Sequence, residues 1–331
     1  PLASLRFPKS DRLLGLVLRG GWRVNFWPKD FLETRENLAF AVVARGWEQG
    51  RALCFLRYFR RRGVWQKLTT AQANDLLRTH FPHYLFYSCQ RAVRVHGVPR
   101  ESVSAVYRPR ERLRAILSAS DPDALESKTA RLGRLLALQG VDLDTLGITG
   151  SLLLRAQGPG SDIDLVAYQR ESFHRARAAI RTLIEEGRLQ ALTETLWRDA
   201  YARRGCSLSY EEFLWHEKRK GTKAAIDGVK FDLSLVQEED HERTRFRKLN
   251  VSKIRAPVCC DFYAFDDPAR FALDDPIVVE AVSFTPTYAG QARAGETIEV
   301  CGTLEQSRDG TKRIVVGSSR EAQGEYIKVV R

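Results

Sequence analysis

Two aspartates, Asp162 and Asp164, are the residues of this sequence best suited to chemistry, and one apolar residue separates them. They follow a Gly-Ser pair, Gly150-Ser151, and a loop rich in glycine and proline. In a β-strand, residues two apart project from the same face, so both carboxylates would point the same way. Adjacent carboxylates repel each other, and a shared divalent cation relieves that repulsion. Ordinary half-exposed strands show the same alternation, so the pair alone leaves a purely structural interpretation open.

A third aspartate, Asp232, favours the chemical interpretation. It lies between apolar Phe231 and Leu233 in a predicted strand at residues 230–236, well downstream of the pair. The order Gly-Ser, then apolar-Asp-apolar-Asp-apolar, then apolar-Asp-apolar resembles the nucleotidyltransferase superfamily typified by the palm of DNA polymerase beta.

The resemblance is closer still to a group of largely uncharacterised archaeal-type nucleotidyltransferase-domain proteins. Residues 147–154 (GITGSLLL) and 161–165 (SDIDL) carry it. It spans residues 145–236, and a β-rich segment like residues 30–34 (DFLET) ahead of the catalytic domain is expected in that group.

The resemblance implies a metal-dependent enzyme that transfers a nucleoside monophosphate from an NTP to a hydroxyl and releases pyrophosphate. Charge accumulates on phosphate oxygens during this reaction. Two Mg²⁺ or Mn²⁺ ions about 3.5–4 Å apart can stabilise the entering and leaving oxygens. By resemblance, Asp162 and Asp164 would bridge both ions. Asp232 would bind only the ion that lowers the pKa of the attacking hydroxyl, and it is a candidate to take that proton.

The Gly-Ser turn is the expected binding place for the triphosphate of the NTP. Gly150 would bring backbone N–H groups, and Ser151 its hydroxyl, to the β- and γ-phosphates beside a helix N-terminus. Ser161 could add a donor next to Asp162.

Cationic side chains are also needed to bind a triphosphate. Arg155 is the nearest in sequence to the Gly-Ser turn. Arg219, Lys220 and Lys223 form a basic cluster that we interpret as a flexible loop, although an exposed helix end stabilised by its dipole has the same composition. His216, on the preceding predicted helix, is expected to be packed or at the surface rather than catalytic.

The elements that must position these residues predict an α+β multidomain fold. Strand patterns separated by Gly and Asn turns predict a β-rich N-terminal domain with a following helix at residues 1–108. Strands alternating with helices predict a central α/β nucleotidyltransferase domain at residues 109–250. Short strands with a hairpin signal at Asp309-Gly310 predict a small antiparallel β-barrel of the OB type at residues 251–331.

Individual elements follow from turn residues and helix caps. Strands are predicted within residues 13–68, notably 14–18, 22–27, 31–43 and 51–59, and at 145–149, 162–168, 230–236, 277–284, 296–305, 313–317 and 325–330. Helices are predicted at residues 70–77, 109–118, from 120 or 121 to 140, 172–186, 189–204 and 209–218.

Composition indicates a nucleic-acid partner, with RNA favoured. The net charge is +12, from 41 Arg and 12 Lys against 41 acidic residues, and the pI is about 9.6. Arginine favours bidentate phosphate contacts and stacking on bases, although a GC-rich genome also raises its frequency. Basic runs at residues 57–62 and 241–255 could track a phosphate backbone, or be solvated strand ends and a charged linker.

Cysteine spacing and hydropathy bear on the compartment. The six cysteines include no CxxC pair, which argues against a zinc site or a disulfide framework and predicts a reducing cytoplasm. No apolar run is long enough to span a membrane, so no membrane partner is expected. The oligomeric state does not follow from the sequence.

The acceptor hydroxyl is left open by the motif. A nucleic-acid end, RNA or tRNA, is favoured by the charge. A protein or small-molecule hydroxyl is the alternative within the same reaction class. A non-catalytic nucleic-acid-binding protein is the alternative outside it, although three retained carboxylates argue against an idle site.

Overall fold

A computed structural model describes residues 25–89, 91, 93–237, 244–317 and 323–331. Those residues form a mixed α/β protein with three β-sheets and seven α-helices. Strands predicted before residue 25 lie outside the described residues. The helices are α1 (Thr70–His80), α2 (Pro109–Leu117), α3 (Ala124–Leu138), α4 (Gly150–Leu153), α5 (Arg170–Glu185), α6 (Glu194–Arg204) and α7 (Tyr210–Lys220).

The first sheet is antiparallel and contains seven strands. They are β1 (Phe31–Thr34), β2 (Leu38–Val42), β3 (Arg51–Arg61), β4 (Val64–Lys67), β5 (Leu85–Ser88), β6 (Val93–Pro99) and β7 (Val103–Tyr107). Their order is β5-β6-β3-β2-β1-β7, with β4 paired to β3. One face, including Leu32, Phe40 and Leu56, packs on Leu77 of α1. The predicted β-rich character therefore holds here, although the sequence did not predict β5, β6 and β7 as separate strands.

The second sheet has the order β10-β11-β9-β8. Its strands are β8 (Leu146–Thr149), β9 (Ile163–Ala167), β10 (Lys223–Ile226) and β11 (Val229–Leu235). β9 and β11 are parallel, and the outer strands are antiparallel to them. Helices α2, α3 and α5 bury their apolar side chains against one face of this sheet. The opposite face carries polar side chains at one end and the apolar side chains of Val166, Tyr168 and Val236 at the other.

The third sheet contains the remaining strands. They are β12 (Phe246–Cys260), β13 (Ala269–Leu273), β14 (Val278–Ser283), β15 (Thr297–Ser307), β16 (Lys312–Val316) and β17 (Tyr326–Val329). The pairing order is β12-β13-β14-β16-β15-β17, and β12 also pairs with β15, so the hydrogen bonding closes into a ring. The prediction of a purely antiparallel sheet is wrong at one place, because β14 and β16 run parallel. The predicted hairpin at Asp309-Gly310 is confirmed between β15 and β16. Helices α6 and α7 share the hydrophobic core of this sheet.

Two helix starts and the structure of one basic segment differ from the sequence prediction. The predicted helix at 189–204 begins at Glu194, because Thr193 caps it and Gln190 pairs with Ala225 of β10. Likewise Asp123, rather than residue 120 or 121, caps α3. The basic run at 241–255 lies largely in β12, where backbone pairing with β15 fixes a strand whatever the side-chain pattern. The part before residue 244 lies outside the described residues.

None of the helices in the described ranges combines the length and the apolarity needed to traverse a bilayer.

Candidate active site

The strands β9 and β11 bring two of the predicted aspartates, Asp164 and Asp232, to one face of the second sheet, and Asp162 lies directly before β9. Their parallel pairing places Asp232 opposite Asp164. Ile163 and Leu165 point into the core beneath the helices, as do their neighbours on β11. Because alternate residues point to opposite faces, Asp164 and Asp232 project from the other side. We call Asp162, Asp164 and Asp232 the acidic site.

Asp164 is half-buried, like Asp162 and Asp232. Burial and the negative charges of Asp232 and Asp162 together raise the pKa of its carboxyl to about 6, although Lys230 and Lys67 act to lower it. Lys67 belongs to β4, so the first sheet forms part of the electrostatic surroundings of the site. An additional cation near Asp164 would favour its ionised form.

Asp232 contributes an unsatisfied oxygen. Its Oδ1 atom is buried and has no hydrogen-bond partner. Its Oδ2 atom lies 3.6 Å from the ammonium of Lys230, which is also 3.0 Å from Oδ2 of Asp162. A buried carboxylate oxygen without a partner is costly unless a ligand or an ion completes it.

Two cations at the site were missed by the sequence analysis. Lys230 is buried and lies on the same strand face as Asp232, two residues earlier, so a period of two could have identified it. Arg203 of α6 donates from Nη1 to Oδ2 of Asp162 at 3.0 Å, across 41 residues of sequence. No local pattern connects Arg203 with the aspartates.

The Gly-Ser turn lies directly against the acidic site. Gly150 begins α4 with φ of +69°, and a side chain there would clash with Oδ2 of Asp164. Thr149 donates from its hydroxyl to the carbonyl of Lys29 at 2.8 Å, and Leu153 packs among residues of the first sheet. Contacts with the first sheet therefore hold the turn in place.

Arg112 of α2 holds the turn from the helix side. It is buried, donates from Nε to the carbonyl of Leu152 at 2.7 Å, and pairs with Glu126 of α3. Arg112 is a third residue that the sequence did not identify, because its partners lie on other elements.

The other predicted phosphate contacts near the turn are placed as follows. Ser151 is half-buried in α4, directly after Gly150. Ser161 accepts a hydrogen bond on its hydroxyl from the N–H of Gly158 at 3.0 Å, so it closes the loop that leads into β9. Arg155 is exposed, with φ of +53°. The structure thus brings Ser151 to the turn and places Ser161 and Arg155 in the adjoining loop.

The basic cluster before β10 is mostly buried rather than exposed on a flexible loop. Lys220 lies 2.5 Å from Glu217 and donates to the carbonyl of Thr287 at 2.6 Å; burial lowers the pKa of its ammonium to about 8. Lys223 also pairs with Glu217 and lies opposite Asp232 in the strand register. Burial of Glu217 would raise the pKa of its carboxyl, but these two lysines outweigh that effect and lower it. Only Lys223 of this group adjoins the acidic site.

Arg219 is directed away from the acidic site. It pairs with Glu296 of the third-sheet region and stacks 4.1 Å from the ring centroid of Trp215. His216 is buried and bonded to two backbone groups, as expected for a packed histidine.

The donor set suits Mg²⁺, which prefers oxygen ligands. Among the described residues no group of three or more His, Cys, Asp or Glu side chains stands ready as a metal cage. Lys230 instead bridges Asp162 and Asp232. The orphaned oxygen of Asp232 and the raised pKa of Asp164 are nevertheless properties that a divalent cation would relieve.

Comparisons with known proteins give one similarity across nearly the whole chain. An uncharacterised protein of the archaeon Methanocaldococcus jannaschii, MJ1086, is 35% identical over 335 residues, which covers 92% of this chain and 98% of that protein. No family model matches the chain, and no solved structure matches it significantly.

Proposed function

The chain belongs to the family of the Methanocaldococcus jannaschii protein MJ1086, and we propose that it is a metal-dependent nucleotidyltransferase. The reaction transfers a nucleoside monophosphate from an NTP to an acceptor hydroxyl and releases pyrophosphate. The acceptor is an RNA end.

One observation carries the proposal. Two carboxylates share one sheet face and Lys230 joins a third to them, one of the three has an orphaned buried oxygen, and a glycine turn with positive φ lies against another. The nearby lysines and Arg203 could stabilise three aspartates for purely structural reasons. The orphaned oxygen of Asp232 favours a bound cation over a purely structural role, and the close approach of Gly150 to Asp164 favours a triphosphate bound beside the carboxylates.

The chain's own residues have distinct roles in this reaction. Bound Mg²⁺ would neutralise charge on the entering and leaving oxygens. Asp162, Asp164 and Asp232 would hold the ions, and Asp232 would take the proton of the acceptor hydroxyl. Backbone N–H groups after Gly150 and the hydroxyl of Ser151 would bind the triphosphate. Lys230 would supply positive charge beside the reacting phosphate once the ions hold the carboxylates.

The remainder of the molecule supports a polyanionic acceptor. The net charge of +12 attracts nucleic acid. We interpret the closed ring of the third sheet as an OB-like barrel, a fold that binds oligonucleotides in many proteins. With its unpaired thiols, the protein is proposed to act in a reducing cytoplasm.

The test is incubation of the protein with each labelled NTP, Mg²⁺ or Mn²⁺, and RNA, DNA or protein acceptors. We expect label on RNA, and a loss of at least about a hundredfold in Asp162→Asn and Asp232→Asn, since each removes charge that a metal ion requires. Asp75→Asn is the matched control, because Asp75 lies on α1 with its side chain 64% exposed.

The other outcomes discriminate among the alternatives. Label on protein or on a small molecule would change the acceptor and keep the reaction class. Full activity in Asp232→Asn would show that Asp232 is not part of the catalytic site. Salt-sensitive RNA binding with no transfer under any condition would refute the enzyme and leave a binding protein.

A further inference from the structure

A second concave site lies away from the acidic site. It is a cleft of about 440 Å³ with walls from all three sheets. Val236, just beyond β11, lies on the same sheet face as Asp232 and about 13 Å further along the strand direction. Trp27 packs on Val166, Tyr168 and Val236 and so covers the sheet face between the acidic site and the cleft. The cleft is therefore a separate site.

Positive charge dominates the lining of the cleft. Its basic residues are Lys29, Arg45, Arg91, Arg245, Arg270 and Arg313, against the acidic residues Glu48, Asp267 and Glu305. Arg313 is bound to Glu305 at 2.8 Å, and Arg270 to Glu280 at 2.6 Å. The balance of charge still favours an anion.

Aromatic rings lie beside these cations. The guanidinium of Arg313 stacks 3.7 Å from the ring centroid of Phe246, and that of Arg91 lies 5.5 Å from that of Phe284. Both rings line the cleft, with Trp47. Because Glu305 already binds Nε and Nη2 of Arg313, Arg91 is the member of these two arginines that we assign to phosphate contacts, while aromatic rings can stack on bases. Phosphates and planar rings together are the chemistry of a nucleotide unit.

The cleft opens onto a basic strand rather than ending as a closed pocket. Arg245 lies in its lining, and β12 continues from there with exposed Arg247 and Lys248. A free nucleotide would gain nothing from charges beyond the cleft, whereas a polynucleotide would release counterions at each of them.

We propose that this cleft and the start of β12 bind a single-stranded segment of the RNA acceptor, remote from the acidic site. The identity of this RNA as the acceptor rests on the function proposed above; its binding in the cleft does not.

Fluorescence anisotropy with a labelled oligo(U) of about fifteen nucleotides tests the proposal. The measurement contains EDTA and no NTP, so it is independent of catalysis. The combined variant Arg91→Glu/Arg245→Glu is expected to bind at least about tenfold more weakly, with a shallower dependence of affinity on salt. Arg134→Glu/Arg188→Glu is the matched control, since both arginines are exposed, neither lines the cleft, and the charge change is the same. This control should stay within about twofold of the wild type.

The outcomes separate this proposal from the enzymatic one. Wild-type affinity in Arg91→Glu/Arg245→Glu, or an equal loss in the control, would overturn the cleft as the binding site. Loss of RNA binding in Asp162→Asn/Asp232→Asn would also overturn it. The same holds if Arg91→Glu/Arg245→Glu lowered the affinity for ATP as much as the affinity for RNA. If Arg91→Glu/Arg245→Glu weakened RNA binding and the wild type showed no nucleotidyl transfer, the enzymatic proposal would be refuted and the assignment of RNA binding to the cleft would stand.

Discussion

At the scale of single residues, the cations of the protein itself balance part of the negative charge of the acidic site. Lys230 bridges Asp162 and Asp232, and Arg203 holds Asp162 from α6. Three neighbouring carboxylates would otherwise repel each other strongly. Binding of a divalent cation would thus replace interactions with Lys230 rather than fill a bare cluster of charges.

Gly150 gives the sharpest residue-scale prediction, because three nearby glycines separate backbone strain from steric clash. Gly150 has φ of +69° and abuts Asp164; Gly160 has φ of +79° and open space; Gly158 has neither constraint. Alanine should cost more than about 2 kcal/mol of unfolding free energy at Gly150, about 1 kcal/mol at Gly160 and under about 0.5 kcal/mol at Gly158. Urea denaturation measures these costs.

Transfer activity provides the second measurement for this series. It should fall by at least about tenfold in Gly150→Ala alone, because the added methyl displaces the Asp164 carboxylate. If Gly150→Ala and Gly160→Ala behaved alike in both assays, the contact between the turn and Asp164 would have no consequence.

At the scale of elements, packing between helices and strands uses buried polar groups. His216 of α7 donates from Nδ1 to the carbonyl of Glu212 at 2.6 Å and accepts on Nε2 the N–H of Val329 of β17 at 3.0 Å. Both bonds are made by the neutral ring, which joins the helix to an edge strand of the third sheet. Burial lowers the pKa of His216 to about 4.

His216 predicts how stability depends on pH. An unfolded histidine takes up a proton near pH 6.5, whereas the folded ring resists protonation until about pH 4. The unfolded state therefore binds more protons in this window, and the contribution of His216 to stability is lost as pH falls through it, by up to about 3 kcal/mol. Denaturation at pH 7 and pH 4 should show this loss in the wild type and less of it in His216→Gln.

An exposed histidine is the control for this pH dependence. His80 lies exposed at the end of α1, so His80→Gln should retain the wild-type profile. A profile in His216→Gln identical to that of the wild type would contradict the assignment to His216.

At the scale of the whole molecule, contacts of Arg170, Asp266 and Phe265 connect the second and third sheets; we call these contacts the joint. Arg170, the first residue of α5, binds Asp266 with both guanidinium nitrogens at 2.6 and 2.9 Å. The Asp266 side chain is fully buried. The ring of Phe265 packs against the hydrophobic cores of both sheets.

Two arginines on the same helix test the strength of this joint. Arg170→Gln leaves the buried Asp266 carboxylate without its guanidinium, and should lower the unfolding free energy by about 3 kcal/mol. Arg175→Gln removes an exposed pair with Glu171 on α5 and should cost under about 0.5 kcal/mol. Equal costs in urea denaturation would show that the joint contributes no more than a surface ion pair.

Sequence by itself determined the features that depend on local direction along the chain. A period of two assigned Asp162, Asp164 and Asp232 to strands with apolar neighbours, a capping box located the start of α7 after Ser209, and Pro109 located the start of α2. These features are local because a side chain's direction in a strand or helix repeats with the backbone.

Only the tertiary structure decided which distant side chains meet. Lys230 and Arg203 at the acidic site, Arg112 behind the turn, and the burial of Lys220 all depend on partners in other elements. The strand β12 was likewise set by its pairing with β15 and not by its own charged pattern. Periodicity in sequence reports the direction of a side chain, whereas its partner is fixed by how whole sheets and helices pack together.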